Sequence, residues 1–291
     1  MTGNITVHDP SMVKGPSGYL LASTAPGIDL RTSGNRTAFS YSGKAFPNGA
    51  SWTDAYTGTS NGNLWAPDIT YVGGKFLMYY AASSFGVNKS AIFLASSTTG
   101  APGSWTNQGL VHATTTSSDH NAIDPHLTID AGGKWWLSLG SFWTGIKMIQ
   151  IDPATGKRLA SNATIYSIAR RTGSTAVEAP AIRYHAGYYY LYTSWDRCCL
   201  GTSSTYRIMV GRSTSITGPY VDRTGVALTA NGGTEILGRH GTIIGPGGQS
   251  VLADADGDLL VYHYYDGSAN GTAKLGVNLI GYDSAGWPYV Y

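Results

Sequence analysis

The sequence predicts an all-β fold, a five-bladed β-propeller, and three observations carry that expectation. First, one strand–turn–strand unit recurs five times, with turn glycines at Gly18, Gly74, Gly133, Gly187 and Gly257. Self-similarity at a near-regular interval marks a repeat architecture, and each interval has room for the four short strands of a propeller blade. Second, the chain holds 39 glycines, 20 tyrosines and 8 tryptophans, while only 12% of its residues are charged, against roughly 25% in ordinary soluble domains. That composition suits many tight turns between apolar strands. Third, no long window shows a helical period. No low-complexity linker divides the chain, so residues 1–291 are expected to form a single domain, a usual length for closed all-β architectures.

The first unit begins His8-Asp9-Pro10-Ser11-Met12-Val13 and turns at Gly18 into Tyr19-Leu20-Leu21. The second and fourth align without a gap, Leu64-Trp65-Ala66-Pro67-Asp68-Ile69 against Val177-Glu178-Ala179-Pro180-Ala181-Ile182. Each runs into an aromatic strand, Phe76-Leu77-Met78-Tyr79-Tyr80 or Tyr188-Tyr189-Tyr190-Leu191-Tyr192. The third reads Ile123-Asp124-Pro125-His126-Leu127, then Trp135-Trp136-Leu137, and the fifth, least regular, Gly248-Gln249-Ser250-Val251-Leu252 before Leu259-Leu260-Val261-Tyr262-His263. Third strands are expected at 91–95, 146–150, 207–211 and 275–279, and short fourth strands near Trp105, Leu159, Tyr220 and Tyr289. Stretches 27–63 and 224–247, rich in Gly, Ser and Thr, read as long connections of the kind that line a binding face, or as blade edges. Asp9 and Asp124 each precede a proline, which biases them to extended backbone. The proline itself suits the first residue of a strand, where no ladder donor is needed.

Composition also excludes several functions. A net charge of +2 gives no electrostatic case for nucleic acid or an anionic membrane. No apolar run reaches the length that spans a bilayer. Met1-Thr2-Gly3-Asn4 lacks the basic and apolar regions of a signal peptide and reads as a mature or trimmed terminus, which by itself leaves export open; for the chain as a whole the expected location is extracellular, and the expected state monomeric. The two cysteines are adjacent, Cys198-Cys199. Either a reduced, buried pair or a vicinal disulfide is open to them, and no zinc-binding spacing accompanies them.

In a propeller the first strand of each blade lies nearest the axis, so the repeat brings Asp9, Asp124 and Glu178 to one channel mouth. Glu178 is one of two glutamates in the chain and stands between apolar neighbours, where a carboxylate is costly to bury. Three carboxylates in one pocket repel, so at least one stays protonated. Glu178 is the expected general acid, Asp9 the ionised partner that activates water, and Asp124 the group that tunes and orients the acid, the division that glycosidic cleavage needs. Strand capping or binding of a central cation is the alternative role for these acids. Trp65, at Glu178's position in its own blade, is the best platform for a sugar face. Phe85 and Trp143, on loops after second strands, with Ser141 and with His8 and Ile123 beside the acids, complete the expected substrate-binding set. Asp68 lies two residues beyond the Asp9 frame and is expected to serve structure only. Asp254-Ala255-Asp256-Gly257-Asp258 is similar to an acidic calcium loop, but its place in the repeat makes it a hairpin turn and it lacks the bidentate Glu further on.

The segments at 7–11, 64–69, 121–125, 177–182 and Gly-Ser-Phe-Trp-Thr-Gly-Ile at 140–146 together resemble the arabinanases of glycoside hydrolase family 43, over essentially the whole chain. The resemblance implies a five-bladed propeller that cleaves arabinan, an α-1,5-linked L-arabinofuranosyl polysaccharide of plant pectin side chains, with inversion. Asp9 would then be general base, Glu178 general acid and Asp124 the pKa modulator. It further implies that His263 contacts a central ion, often calcium, partly through water; a lone His on an aromatic strand is otherwise a hydrogen-bonded core residue. No organic cofactor is implied. Endo action is the expected mode, with exo-arabinanase, arabinofuranosidase or xylosidase action the alternative within the family. Five-bladed fructan and sucrose hydrolases also use two Asp and one Glu. They carry Asn, Arg and Cys where this chain has His8, Ile123 and Ala179. A sugar-binding lectin would repeat one motif in every blade, whereas here the polar residues at the axis differ from blade to blade.

Overall fold

A computed structural model of the protein describes residues 1–60 and 62–291, and its strands form five sheets in a ring. From the axis outward, blade 1 runs Ser11–Gly15, Gly18–Ser23, Asp29–Ser33 and Ala38–Lys44, with Thr2–Gly3 added at the outer edge. Blade 2 runs Asn63–Val72, Lys75–Ala82, Ala91–Ser97 and Thr106–Ala113, with Ala25–Pro26 on its inner side. Blade 3 is His126–Ile129, Trp135–Leu139 and Ile146–Asp152, edged by Lys157–Arg158 and Tyr166–Ala169. Blade 4 is Val177–His185, Tyr188–Trp195, Arg207–Ser213 and Thr234–Leu237. Blade 5 is Ile243–Asp254, Gly257–Asp266, Thr272–Tyr282 and Pro288–Val290. The acidic stretch at 254–258 is the hairpin between the first two strands of blade 5.

Alternation along the strands explains how the ring packs. In Phe76-Leu77-Met78-Tyr79-Tyr80, the residues Phe76, Met78 and Tyr80 face blade 1, and Leu77 and Tyr79 face blade 3. Both faces of such a strand are buried, so it reads as a continuous apolar run. The same division yields a core between blades 3 and 4 around Met148 and Leu191, one between 4 and 5 around Val210 and Leu260, and one between 5 and 1 around Val261 and Leu21. The last seam is also sewn by the N-terminal segment. Val7 N–H donates to Ala273 O (3.3 Å) and Leu275 N–H to Ile5 O (2.8 Å), while Thr2–Gly3 pairs with Ala38 and Phe39 of blade 1.

The inner strands are tied to one another around the axis. Ser250 Oγ donates to Pro10 O (2.9 Å), and Ile69 N–H to Ser11 Oγ (3.0 Å). Leu127 N–H donates to Asp68 Oδ2 (2.8 Å) and His126 lies 3.1 Å from Asp68 Oδ1. Ala179 N–H donates to Asp124 Oδ2 (3.0 Å), and Gln249 Nε2 donates to Ala179 O. With Ser11 Oγ 3.5 Å from its Oδ1, Asp68 joins blades 1, 2 and 3.

Two sequence expectations are corrected. Asp9 (φ +46°) and Asp124 (φ +53°) are left-handed rather than extended, and so are Ala66, Ala179 and Gly248 at the same point of the other blades. In blades 2, 4 and 5 the inner-strand register slips at this point, between Trp65 and Asp68, Glu178 and Ala181, and Gly247 and Ser250. An inserted residue kinks the strand there, and the left-handed turn re-aims the side chains around it. The outer edge of blade 4 lies at Thr234–Leu237 rather than near Tyr220. Asp222 accepts from the N–H groups of Thr224, Val226 and Gly233, which curls the chain into turns after a single bridge from Val221 to Arg212. Of the two readings of stretch 27–63 the blade edge holds: it contains the two outer strands of blade 1, followed by a short helical turn, Ser51–Thr53 and Asp54–Thr57.

Candidate active site

The left-handed residues mark one end of the axis, where a cleft of about 890 Å³ opens. Asp9, Asp124 and Glu178 all line it, together with His8, Trp65, Phe85, Ile123, Ser141 and Trp143. Every substrate-binding or catalytic residue expected from the sequence thus reaches one space. Glu178 stands one residue earlier in the repeat than the two aspartates, in register with His8, Trp65 and Ile123. Glu178 is at a strand kink, and its carboxylate shares the cleft with the pre-proline acids of blades 1 and 3.

The three acids sit in different surroundings. Glu178 is buried, accepting from Ser141 Oγ (2.6 Å) and from the Tyr206 hydroxyl. Burial pushes its pKa up to about 7; the Ser141 hydrogen bond and the charge of His8 oppose the rise, and the charge of Asp9 adds to it. Asp9 goes the other way. Burial works against its ionisation, but the charge and hydrogen bond of His8, helped by His263 and Thr24, hold it well below the usual carboxylate range. His8 Nδ1 lies 2.9 Å from Asp9 Oδ2, and Thr24 Oγ1 donates to the same oxygen at 2.7 Å. Burial, then the charge of Glu178, raises Asp124. Asp124 and Glu178 repel each other in a dry site, so between them they retain a proton that Asp9 does not. The cleft therefore offers one group ready to give a proton and one ready to take one.

Ser141 has a partner that its sequence context does not show. It is buried at the cleft wall, and its hydroxyl donates to the carboxylate of Glu178. The 140–145 loop that presents it carries Phe142 and Trp143 in left-handed backbone (φ +51° and +40°). Phe142 N–H donates to Val177 O (3.0 Å), beside Glu178, and Thr144 N–H to Asp119 O (3.1 Å). Such strain persists where surrounding contacts over-determine it, and it clusters at functional sites. Trp65 and Phe85 stand with ring centroids 4.9 Å apart, and Phe85 is 81% exposed, an apolar platform open to a ligand. Leu200, 51% exposed, lines the cleft from blade 4.

His263 is fully buried at the axis. Asp9 N–H donates to its Nδ1 (3.1 Å), so Nε2 carries the ring proton, and Nε2 has no partner among the described residues. Burial and the charge of His8 hold this imidazole neutral. An N–H donor faces a cation only through an intervening water, so the donor set here fits a water-held ion and not direct ligation. Sequence reasoning did not reach Tyr206, Thr24, Tyr265 or the 197–200 loop. No motif sets Tyr206 and Tyr265 apart among 20 tyrosines. The adjacent cysteines were the one local signal; they are joined as a disulfide at the cleft wall, with Cys199 exposed, so the reduced, buried pair is overturned.

The sequence profile described as "Glycosyl hydrolases family 43" matches residues 2–288. The chain is 44% identical to the "Extracellular endo-alpha-(1->5)-L-arabinanase 1" of Bacillus subtilis (strain 168), over 98% of this chain and 88% of that protein. It is 37% identical to the "Extracellular exo-alpha-(1->5)-L-arabinofuranosidase ArbA" of Cellvibrio japonicus (strain Ueda107), over 98% of this chain and 86% of that one. Among solved structures, the "GH43 Endo-Arabinanase from Bacillus licheniformis" superposes with a TM-score of 0.92 at 42% identity, covering 99% of this chain and 98% of that chain.

Proposed function

The chain belongs to glycosyl hydrolase family 43, and from that premise we propose that it cuts arabinan within the polymer, as an endo-1,5-α-L-arabinanase. The reaction is hydrolysis of α-1,5-linked L-arabinofuranosyl bonds with inversion, and the substrate is arabinan. In the proposed division of labour, Asp9 takes a proton from the attacking water and Glu178 gives one to the leaving oxygen. Asp124 holds Glu178 in its protonated form and, through Ala179 N–H, in place. The observation that carries this reading is the opposite electrostatic setting of Asp9 and Glu178 in one cleft, as an inverting acid–base pair requires.

Endo action is supported by the walls. Trp65 and Phe85 from blade 2 and Leu200 from blade 4 present apolar surface in the cleft that the acids line, so a run of several sugars has faces to stack on. Names of relatives include the word extracellular, which supports an extracellular site of action, and a monomer holds the whole cleft. For the calcium ion proposed at the axis, His263 Nε2–H would hold one of its waters; the ion would add a fixed positive charge beneath Asp9. Product analysis on linear debranched arabinan tests the endo reading. A mixture of oligosaccharides from the first minutes is expected, and a single short product from the start would assign exo action instead.

A further inference from the structure

At and behind the cleft wall lies a connected group that the three acids do not account for. The 196–206 loop joins the second and third strands of blade 4 and carries the Cys198–Cys199 disulfide. A disulfide between neighbouring residues closes a small covalent ring and removes backbone freedom from both. The N–H of Cys199, fixed in this way, donates to the Tyr265 hydroxyl oxygen at 2.7 Å. The same oxygen lies 2.9 Å from His8 Nε2 and accepts the Nε2–H of the protonated imidazole beside the Cys199 N–H. His8 in turn reaches Asp9 Oδ2 through Nδ1 at 2.9 Å. The His8 ring stacks on His263 at 3.8 Å, and Tyr265 meets His263 edge-on at 5.4 Å. Cys199 Sγ closes the remaining side of His8, 3.7 Å from Nε2. Stacking fixes the plane of His8; Tyr265 and Cys199, at the opposite ring nitrogen from Asp9, fix its rotation within that plane.

We propose that the Cys198–Cys199 disulfide and Tyr265 are positioning elements for the hydrolytic step, holding His8, and through it the Asp9 carboxylate, in the orientation that aims the attacking water. The inference rests on the reading of Asp9 as the base. Tyr265 does not line the cleft, so its hydroxyl acts on the rate and not on sugar affinity. A misplacement of about 1 Å at a reacting group costs about 100-fold, which bounds the effect from above.

Tyr265→Phe keeps the ring and its contact with His263 while deleting the hydroxyl. On arabino-oligosaccharides it is expected to lower kcat by about 10- to 100-fold and leave KM within about twofold. The double variant Cys198→Ser/Cys199→Ser should lose kcat to a similar extent. Combining the two should cost little beyond the larger single loss, because both cut one chain of contacts. If the serine variant does not fold, treating the wild-type protein with a trialkylphosphine gives the same comparison. The disulfide takes two electrons and two protons to become two thiols, and the phosphine becomes its oxide with oxygen from water. Activity should then fall without loss of the circular dichroism spectrum, return on re-oxidation, and fall no further in Tyr265→Phe. Wild-type kcat in folded Tyr265→Phe, or losses that multiply in the combination, would overturn the proposal. Asp9→Ala is the control for the premise: retained activity there removes the base assignment, whereas an inactive Asp9→Ala beside a fully active Tyr265→Phe removes only the positioning role.

Discussion

Replacing Ser141 by alanine should move the alkaline limb of the pH–rate profile upward. Ser141 Oγ donates to Glu178 Oε2 at 2.6 Å, a short bond to a group that stabilises the ionised carboxylate more than the acid. It acts against the burial that lifts Glu178 to about 7. Hydrogen bonds to charged groups contribute about 1.5–3 kcal/mol, and one pKa unit corresponds to about 1.4 kcal/mol. Tyr206 still donates to the other carboxylate oxygen, so a rise of about one unit, to a limb near pH 8, is the expected size. The sign follows from the role. Glu178 must be protonated to act, and Ser141→Ala makes it lose its proton at higher pH, so relative activity above pH 7 should increase. The optimum rate should fall, because the carboxyl is held less firmly. The assay is initial rate on an arabino-oligosaccharide from pH 5 to 9, fitted for kcat and KM separately. A raised KM with an unmoved alkaline limb would refute the reasoning and return Ser141 to sugar binding.

Three other outcomes follow from the same geometry. Asp124→Asn keeps an oxygen for Ala179 N–H and removes the charge, so the alkaline limb should fall by about one unit; an unmoved limb in the same rate profile would leave Asp124 an orienting role alone. Glu178→Ala should abolish arabinan cleavage yet retain measurable turnover on aryl arabinofuranosides with good leaving groups, which need little protonation; equal loss on both substrates would remove Glu178 as the acid. Asp68→Ala strips partners from buried Leu127 N–H, Ser11 and His126. It should cost about 3 kcal/mol in chemical denaturation while leaving the alkaline limb of the residual activity in place, and a neutral effect on stability would show the ties between blades to be dispensable.

The blades were legible because the information that makes them is local. Apolar runs such as Phe76–Tyr80 and turn glycines such as Gly74 sit within a few residues of the partners they require. The repeat then supplied a long-range fact from local ones. Residues at equivalent places in five blades must meet at the axis, so Asp9, Asp124 and Glu178 were placed together although they are far apart in the chain. The fifth blade was harder to read because Gly248 stands where the others carry a residue before proline.

The sequence by itself determined most of the strand pattern, the five-fold closure and which acids meet at the axis. Tertiary structure decided how each acid is set. The left-handed backbone at Asp9 and Asp124 opposes the local bias of a residue before proline; Ala66 and Ala179 share it at the same point of blades 2 and 4, where the inner-strand register slips. Ser141 and Tyr206 reach Glu178 across 37 and 28 residues of chain, and Tyr265 meets Cys199 across 66. No local rule links such loops, whose courses depend on the packing of blades beneath them. The division between a protonated Glu178 and an ionised Asp9 has the same origin. Two carboxylates exposed in an unfolded chain titrate alike. Only when the ring closes does one lose its water to burial while the other gains His8, Thr24 and His263 as partners.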